Sequence, residues 1–144
     1  MPSRHRSRER ALQMIYQWDL SRAPTDSIIS AFWDGLSNDE LGVPTEPDPF
    51  ANDLVEGVVG RIQHIDDLIR AHAENWRLDR MPTIDRGILR LAIYEMICEP
   101  SLSPVVINEA LEIGRRFSED SGPFLNGVLD AVRRTLEENA PAPA

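Results

Sequence analysis

Residues 83–96 read TIDRGILRLAIYEM, and on a helix this stretch is apolar around nearly its whole circumference. A helix with apolar side chains on every face has to be covered by other helices. We therefore expect residues 83–96 to form the central, buried helix of an all-α domain, opened by Thr83 directly after the helix-breaking pair Met81-Pro82. The apolar positions of this helix are Ile84, Ile88, Leu89, Leu91, Ala92, Ile93 and Met96.

The rest of the chain also has helical period, and no stretch alternates as a strand does. Helices are predicted over 7–21, over 26–35, from the cap-and-proline pair Asp48-Pro49, over 65–76, from a second such pair at Ser103-Pro104, and from Ser121. Residues 38–47 hold Gly42 and two prolines, which indicates a loop. The sequence thus predicts a single domain of about seven helices over residues 1–139, followed by a disordered tail over 140–144.

Length and cysteine content narrow the class of protein. The 144 residues suit one domain, and Cys98 is the only cysteine, so no disulfide framework is predicted. No apolar run is long enough for a signal peptide or a membrane span. We therefore expect a cytoplasmic protein that makes no membrane contact.

Positive charge is concentrated at one end of an acidic chain. The net charge is −9, and all 15 basic residues are arginine, four of them within the first ten residues: Arg4, Arg6, Arg8 and Arg10. Basic side chains at a helix start oppose the helix dipole, so a stable fold does not need them there. We expect residues 1–8 to be a flexible arginine-rich arm. Two interpretations stay open: the arm contacts a nucleic-acid backbone, or it is a solvated tail.

Catalytic, cofactor and metal sites are not predicted. His5, His64 and His72 are too scattered for a metal site, and no glycine-rich phosphate loop is present. Cys98 precedes a proline-bounded loop and has no obvious base beside it. Charged residues within the apolar runs, such as Arg90 and Glu109, are expected to make structural contacts.

Aromatic and polar side chains occur together between the last two predicted helices, in residues 117–126. Aromatic rings stack on unpaired bases and polar groups read base edges, so this segment is a candidate RNA contact. Phe117 and Phe124 are equally compatible with a place in the core, and Asp120 and Ser121 with helix capping.

Four segments resemble one known family. Residues 8–18 (RERALQMIYQW), 84–95 (IDRGILRLAIYE), 106–110 (VINEA) and 124–130 (FLNGVLD) are similar, in this order and spacing, to helices of the NusB antitermination factors. The resemblance implies a NusB-like fold of two packed three-helix units plus one further helix. It also implies a protein that is not an enzyme and has no cofactor.

The resemblance further implies partners and sites. Members of the family bind single-stranded, boxA-type RNA together with NusE, a basic ribosomal small-subunit protein, and join the RNA polymerase antitermination complex to promote read-through, chiefly of ribosomal RNA operons. By similarity, the RNA-binding residues are Arg4, His5, Arg6, Arg8, Phe117, Asp120, Phe124 and Asn126. The residues offered to NusE are Asp79 and Asp85, whose acidity complements a basic partner.

Two alternatives remain at this point. The chain is a protein-interaction helical bundle whose arginine arm binds nothing, or it is related to the amino-terminal domain of ribosomal RNA cytosine methyltransferases. Those enzymes need a further domain with a nucleophilic cysteine, for which 144 residues leave no room.

Overall fold

Seven α-helices follow one another in the computed structural model, which describes residues 3–37, 45–73, 77–117 and 121–139. Two short 3₁₀ turns, Leu78–Arg80 and Pro100–Leu102, precede α5 and α6, and the described residues contain no strand. The predicted all-α fold class is confirmed. The α-helices are α1 Arg4–Ser21, α2 Thr25–Ser37, α3 Pro49–Gly60, α4 Ile62–His72, α5 Thr83–Cys98, α6 Ser103–Phe117 and α7 Gly122–Glu138.

The helices divide into two compact units, which we call unit 1 (residues 1–60) and unit 2 (residues 61–144). Unit 1 contains α1, α2 and α3, and α1 packs against both of the others. The inward face of α1 follows the i, i+3, i+4 spacing that a helix needs to bury one stripe. The apolar core residues of unit 1 are Ala11, Leu12, Met14, Ile15, Trp18, Trp33, Ala51, Leu54, Val55 and Val58.

The start of α3 is fixed by the capping signal read from the sequence. The Asp48 carboxylate accepts a hydrogen bond from the backbone N–H of Phe50 at 3.1 Å, and Pro49 is the first helical residue. Proline suits that position because it lacks a backbone N–H, and an N–H there would have no acceptor within the helix. The predicted cap at Asp48 is confirmed.

Unit 2 is built around α5, which packs against α4, α6 and α7. Residues 87–93 of α5 and Met96 are all buried, as its nearly continuous apolar surface predicts. Arg90 lies inside this helix, and its guanidinium donates to both carboxylate oxygens of Asp66 in α4, at 2.9 and 3.0 Å. This paired contact makes a charged side chain compatible with the core.

Several helix boundaries differ from those predicted. Thr83 and Ser103 are first helical residues, and the Ser103 hydroxyl donates to the carbonyl of Pro100 at 2.7 Å. Ser121 precedes α7 but makes no side-chain capping bond. Helix α4 runs from Ile62 to His72, with the backbone N–H of Ala73 donating to the Ile69 carbonyl, so it begins and ends earlier than the predicted 65–76; residues 74–76 lie outside the described part.

Helix α5 ends at Cys98, whose side chain is exposed. Among the described residues, no helix combines the length and the apolar character that crossing a bilayer requires.

Candidate nucleic-acid interface

The first turns of α1 carry the arginine cluster. Ser3 precedes the helix in an extended conformation, and its hydroxyl accepts a hydrogen bond from the backbone N–H of Arg6 at 3.1 Å. This is the geometry of an N-cap, which satisfies one of the free donors at a helix start. Residues 4–8 are therefore helical, where we expected a flexible arm over 1–8; residues 1 and 2 lie outside the described part.

Arg4 and Arg6 are the exposed cations of this cluster. The guanidinium carbon of Arg4 lies 3.7 Å from the centre of the Phe50 ring, which belongs to the first turn of α3. The guanidinium carbon of Arg10 lies 5.3 Å from the ring centre of Trp33. Neither Arg4 nor Arg6 forms an ion pair with a carboxylate of the described residues, so both charges remain available at the surface.

His5 and Arg8, both predicted to bind RNA, are less accessible. The His5 ring nitrogen lies 2.9 Å from the Glu9 carboxylate, one helical turn away. Arg8 is only 7% exposed, because it shares the inward face of α1 with Ala11, Leu12 and Ile15. Of the predicted arm residues, Arg4 and Arg6 are therefore exposed, whereas His5 contacts Glu9 and Arg8 is buried.

A second contact ties the same turns of α1 to α3. The buried Ser7 hydroxyl donates a hydrogen bond to the Asp48 carboxylate, the same group that caps α3. Ser7 is 1% and Asp48 6% exposed, so this polar pair is withdrawn from water. A buried, fully paired contact of this kind fixes the register of the two helices.

The other predicted RNA-binding residues lie where α6 ends and α7 begins, in unit 2. Phe117 is the last residue of α6 and 41% exposed, with the Arg116 guanidinium 5.5 Å from its ring centre. Phe124 is half-buried and Asn126 exposed, both in the first turns of α7. Asp120 lies outside the described residues. The exposed ring of Phe117 and the amide of Asn126 are thus the accessible groups of this set.

Further along α7, the arginines are held by acidic residues of the same helix. Asp130 accepts hydrogen bonds from Arg133 at 2.8 Å and from Arg134 at 2.9 Å. The hydrogen bond from Arg133, reinforced by the charges of both arginines, lowers the pKa of Asp130 from its ordinary value. The contact with Asp130, followed by that with Glu137, raises the pKa of Arg133. These pairs occupy the side chains and make this part of α7 a weak candidate for phosphate binding.

The two predicted partner-binding residues have different environments. Asp79 is exposed in the turn before α5, forms an ion pair with Arg77 at 3.3 Å, and lines an open cavity of about 500 Å³. Asp85 is only 4% exposed and accepts a hydrogen bond from the Ser121 hydroxyl at 2.7 Å. We expected Asp85 on an accessible acidic face, but its place in the first turn of α5 turns the carboxylate into unit 2. Asp79 is the accessible member of the pair.

Sequence reasoning missed one residue of this surface, Phe50. It belongs to an apolar run that reads as core, and nothing local marks it as the partner of an arginine 46 positions earlier. The one available signal was Asp48, whose capping role places the start of α3, but the sequence does not say which helix packs there.

These helices define the class of the molecule: an all-α protein of two small helical units, with exposed arginines on the first turns of one helix. A family model described as the NusB family matches residues 5–134. The chain belongs to the NusB family. The match covers nine-tenths of the sequence and confirms the resemblance seen in its four segments.

Similar proteins agree with this assignment. The transcription antitermination protein NusB of Solibacter usitatus is 52% identical over 143 residues, covering 98% of this chain and 96% of the relative. A solved structure of NusB from T. maritima is 32% identical, with a TM-score of 0.78, covering 97% of this chain and 94% of that one. A crystal structure of the antitermination factors NusB and NusE in complex with dsRNA matches at 25% identity and a TM-score of 0.74, covering 93% and 99% of the two chains. The relatives are named as transcription antitermination proteins, which confirms the expectation of a non-catalytic antitermination factor.

Proposed function

We propose that this protein is a transcription antitermination factor that binds single-stranded, boxA-like RNA together with NusE. In this role it joins the RNA polymerase antitermination complex in the cytoplasm and promotes read-through, chiefly of ribosomal RNA operons. Membership of the family supports the general role, and a related chain has been solved with NusE and RNA.

The observation that carries the proposal is the exposure of Arg4 and Arg6 at the start of α1 in a chain of net charge −9. A nucleic-acid backbone is held by cations that are free to displace its counterions. Phe117 and Asn126 supply what phosphate contacts lack, because an exposed ring stacks on a base and an amide reads a base edge.

For NusE, we propose a contact at Asp79, the accessible carboxylate in the turn before α5. A basic partner is attracted by exposed acidic groups. Asp85 is withdrawn from the surface and contributes through the position of the α7 start rather than by direct contact.

The test is a fluorescence anisotropy titration with labelled boxA-like RNA and a scrambled RNA of equal length, each with and without NusE. We expect tighter binding of the boxA-like RNA, and a further gain when NusE is present. Arg6→Glu should weaken binding about tenfold and make its salt dependence shallower by about 0.7 in log–log slope for the phosphate contact that it removes.

Arg134→Glu is the matched control, since Arg134 is exposed but already bound to Asp130. It should leave the affinity within about twofold of the wild type. Equal, weak binding of both RNAs with and without NusE would contradict the proposed function.

A further inference from the structure

We propose that Phe50 is a positioning residue for RNA binding: its ring holds the Arg4 guanidinium in place for a phosphate of the RNA backbone. This inference rests on the proposed function and adds to it the start of α3, which neither the sequence motifs nor the family resemblance assigned to the RNA surface.

The geometry of the pair is that of a cation held on an aromatic face. The Arg4 guanidinium carbon lies 3.7 Å from the ring centre, which is van der Waals contact. Arg4 as a whole is exposed, whereas Phe50 is half-buried in unit 1. Because ring contact consumes none of the N–H donors of a guanidinium, Arg4 keeps its capacity for paired hydrogen bonds to a phosphate.

The backbone that carries the ring is fixed by hydrogen bonds. Phe50 follows Asp48, whose carboxylate both caps α3 through the Phe50 backbone N–H and accepts the hydrogen bond of the buried Ser7 hydroxyl. Ser7 lies one turn after Arg4 on α1. The arginine and the ring are therefore connected by two routes. One is the direct ring contact, and the other runs along the backbone of α1 to Ser7 and through Asp48 to the start of α3.

Holding Arg4 on the ring lowers the entropy that its side chain loses when RNA binds. A long side chain that is free in solution loses rotamer entropy when it grips a ligand, and pre-ordering reduces that loss. Arg6 has no ring contact among the described residues, so its side chain loses its full rotamer entropy on binding. Arg4 is already ordered and loses less. We therefore expect the contribution of Arg4 to RNA affinity to depend on Phe50.

A double-mutant cycle tests the dependence, with anisotropy titrations of labelled single-stranded boxA-like RNA. Phe50→Leu keeps an apolar side chain but removes the ring, and should weaken binding two- to fivefold, with an unchanged slope against log salt. Arg4→Gln should weaken binding and make the slope shallower by about 0.7. In the Arg4→Gln background, Phe50→Leu should cause no further loss. With Arg4 present, Phe50→Tyr keeps an aromatic ring and should retain the wild-type affinity.

Phe32→Leu is the matched control. Phe32 is also a half-buried phenylalanine of unit 1, but its described ring contact is with Trp33 and not with an arginine. It should leave RNA affinity unchanged, and thermal unfolding shows whether each variant is folded.

The outcomes separate the two proposals. If the wild type prefers boxA-like RNA but Phe50→Leu has no effect, or has the same effect with and without Arg4, the positioning role is wrong and the proposed function stands. If the wild type binds neither RNA, both are overturned.

Discussion

Asp66 and Asp67 are neighbours in α4, yet they hold their arginines in opposite environments. Asp66 binds Arg90 through two hydrogen bonds, and the Arg90 side chain is only 3% exposed. Asp67 binds Arg70 at 3.2 Å with both side chains more than half exposed. In the first pair desolvation makes each charge depend on its partner, whereas water screens the second.

We predict that Asp66→Asn lowers the free energy of unfolding by about 3 kcal/mol, because the Arg90 charge stays buried without its carboxylate. Asp67→Asn, the matched control one residue away, should cost less than about 1 kcal/mol. Urea denaturation of both variants measures the difference. Equal costs would contradict the assignment of Asp66 as a core ion pair.

At the scale of the helices, Gly114 of α6 lies against the Leu125 side chain of α7. A Cβ atom at this position would lie 2.9 Å from Cδ1 of Leu125, a side chain with no exposed surface. Gly127 in α7 is also helical, but no atom lies within 4 Å of the place that its Cβ would occupy. The first glycine is required by packing and the second is not.

The two glycines give opposite predictions for the same substitution. Gly114→Ala should lower the free energy of unfolding by about 1 kcal/mol, because overpacking against Leu125 outweighs the gain in helix propensity. Gly127→Ala should raise it by about 0.5–1 kcal/mol, since only the propensity changes. Thermal or urea unfolding measures both changes. A Gly114→Ala variant that is more stable than the wild type would contradict the prediction and show that Leu125 can shift without loss of packing energy.

At the scale of the whole molecule, the charge is divided by function. The net charge of −9 suits the basic partner of the proposed function, and the exposed Arg4 and Arg6 are a local cluster of opposite sign. Long-range attraction between unlike net charges acts mainly on the rate of encounter and is screened by salt.

We therefore predict that the association rate constant with NusE falls roughly tenfold between about 50 and 500 mM salt, while the dissociation rate constant changes little. Asp79→Asn should lower the rate at low salt and leave it unchanged at high salt. Stopped-flow fluorescence measures both, and a rate that is independent of salt would argue against electrostatic attraction of the partner.

Local signals in the sequence were sufficient to predict most elements. The apolar circumference of residues 83–96 predicted the burial of α5, and Asp48-Pro49 predicted the start of α3, because periodicity and capping depend on neighbours along the chain. The exposed positions of Arg6 and Asn126 are also compatible with the predicted surface.

Contacts between distant residues could not be predicted in the same way. Asp85 is buried because Ser121, 36 positions later, donates to it. Arg8 is inside because it shares the face of α1 that packs within unit 1, and Arg4 is held by a ring in another helix. Each of these depends on which helices pack together, which a single sequence leaves open.

The exposed sulfur at the end of α5 affects how the protein must be handled. Cys98 is the single thiol of the sequence, so air oxidation in a stored sample links molecules only in pairs. A covalent dimer made in this way would imitate a natural one on a sizing column, and particle mass should be measured in reducing buffer. The same thiol accepts one maleimide dye per chain, which gives a label at a known position without any substitution.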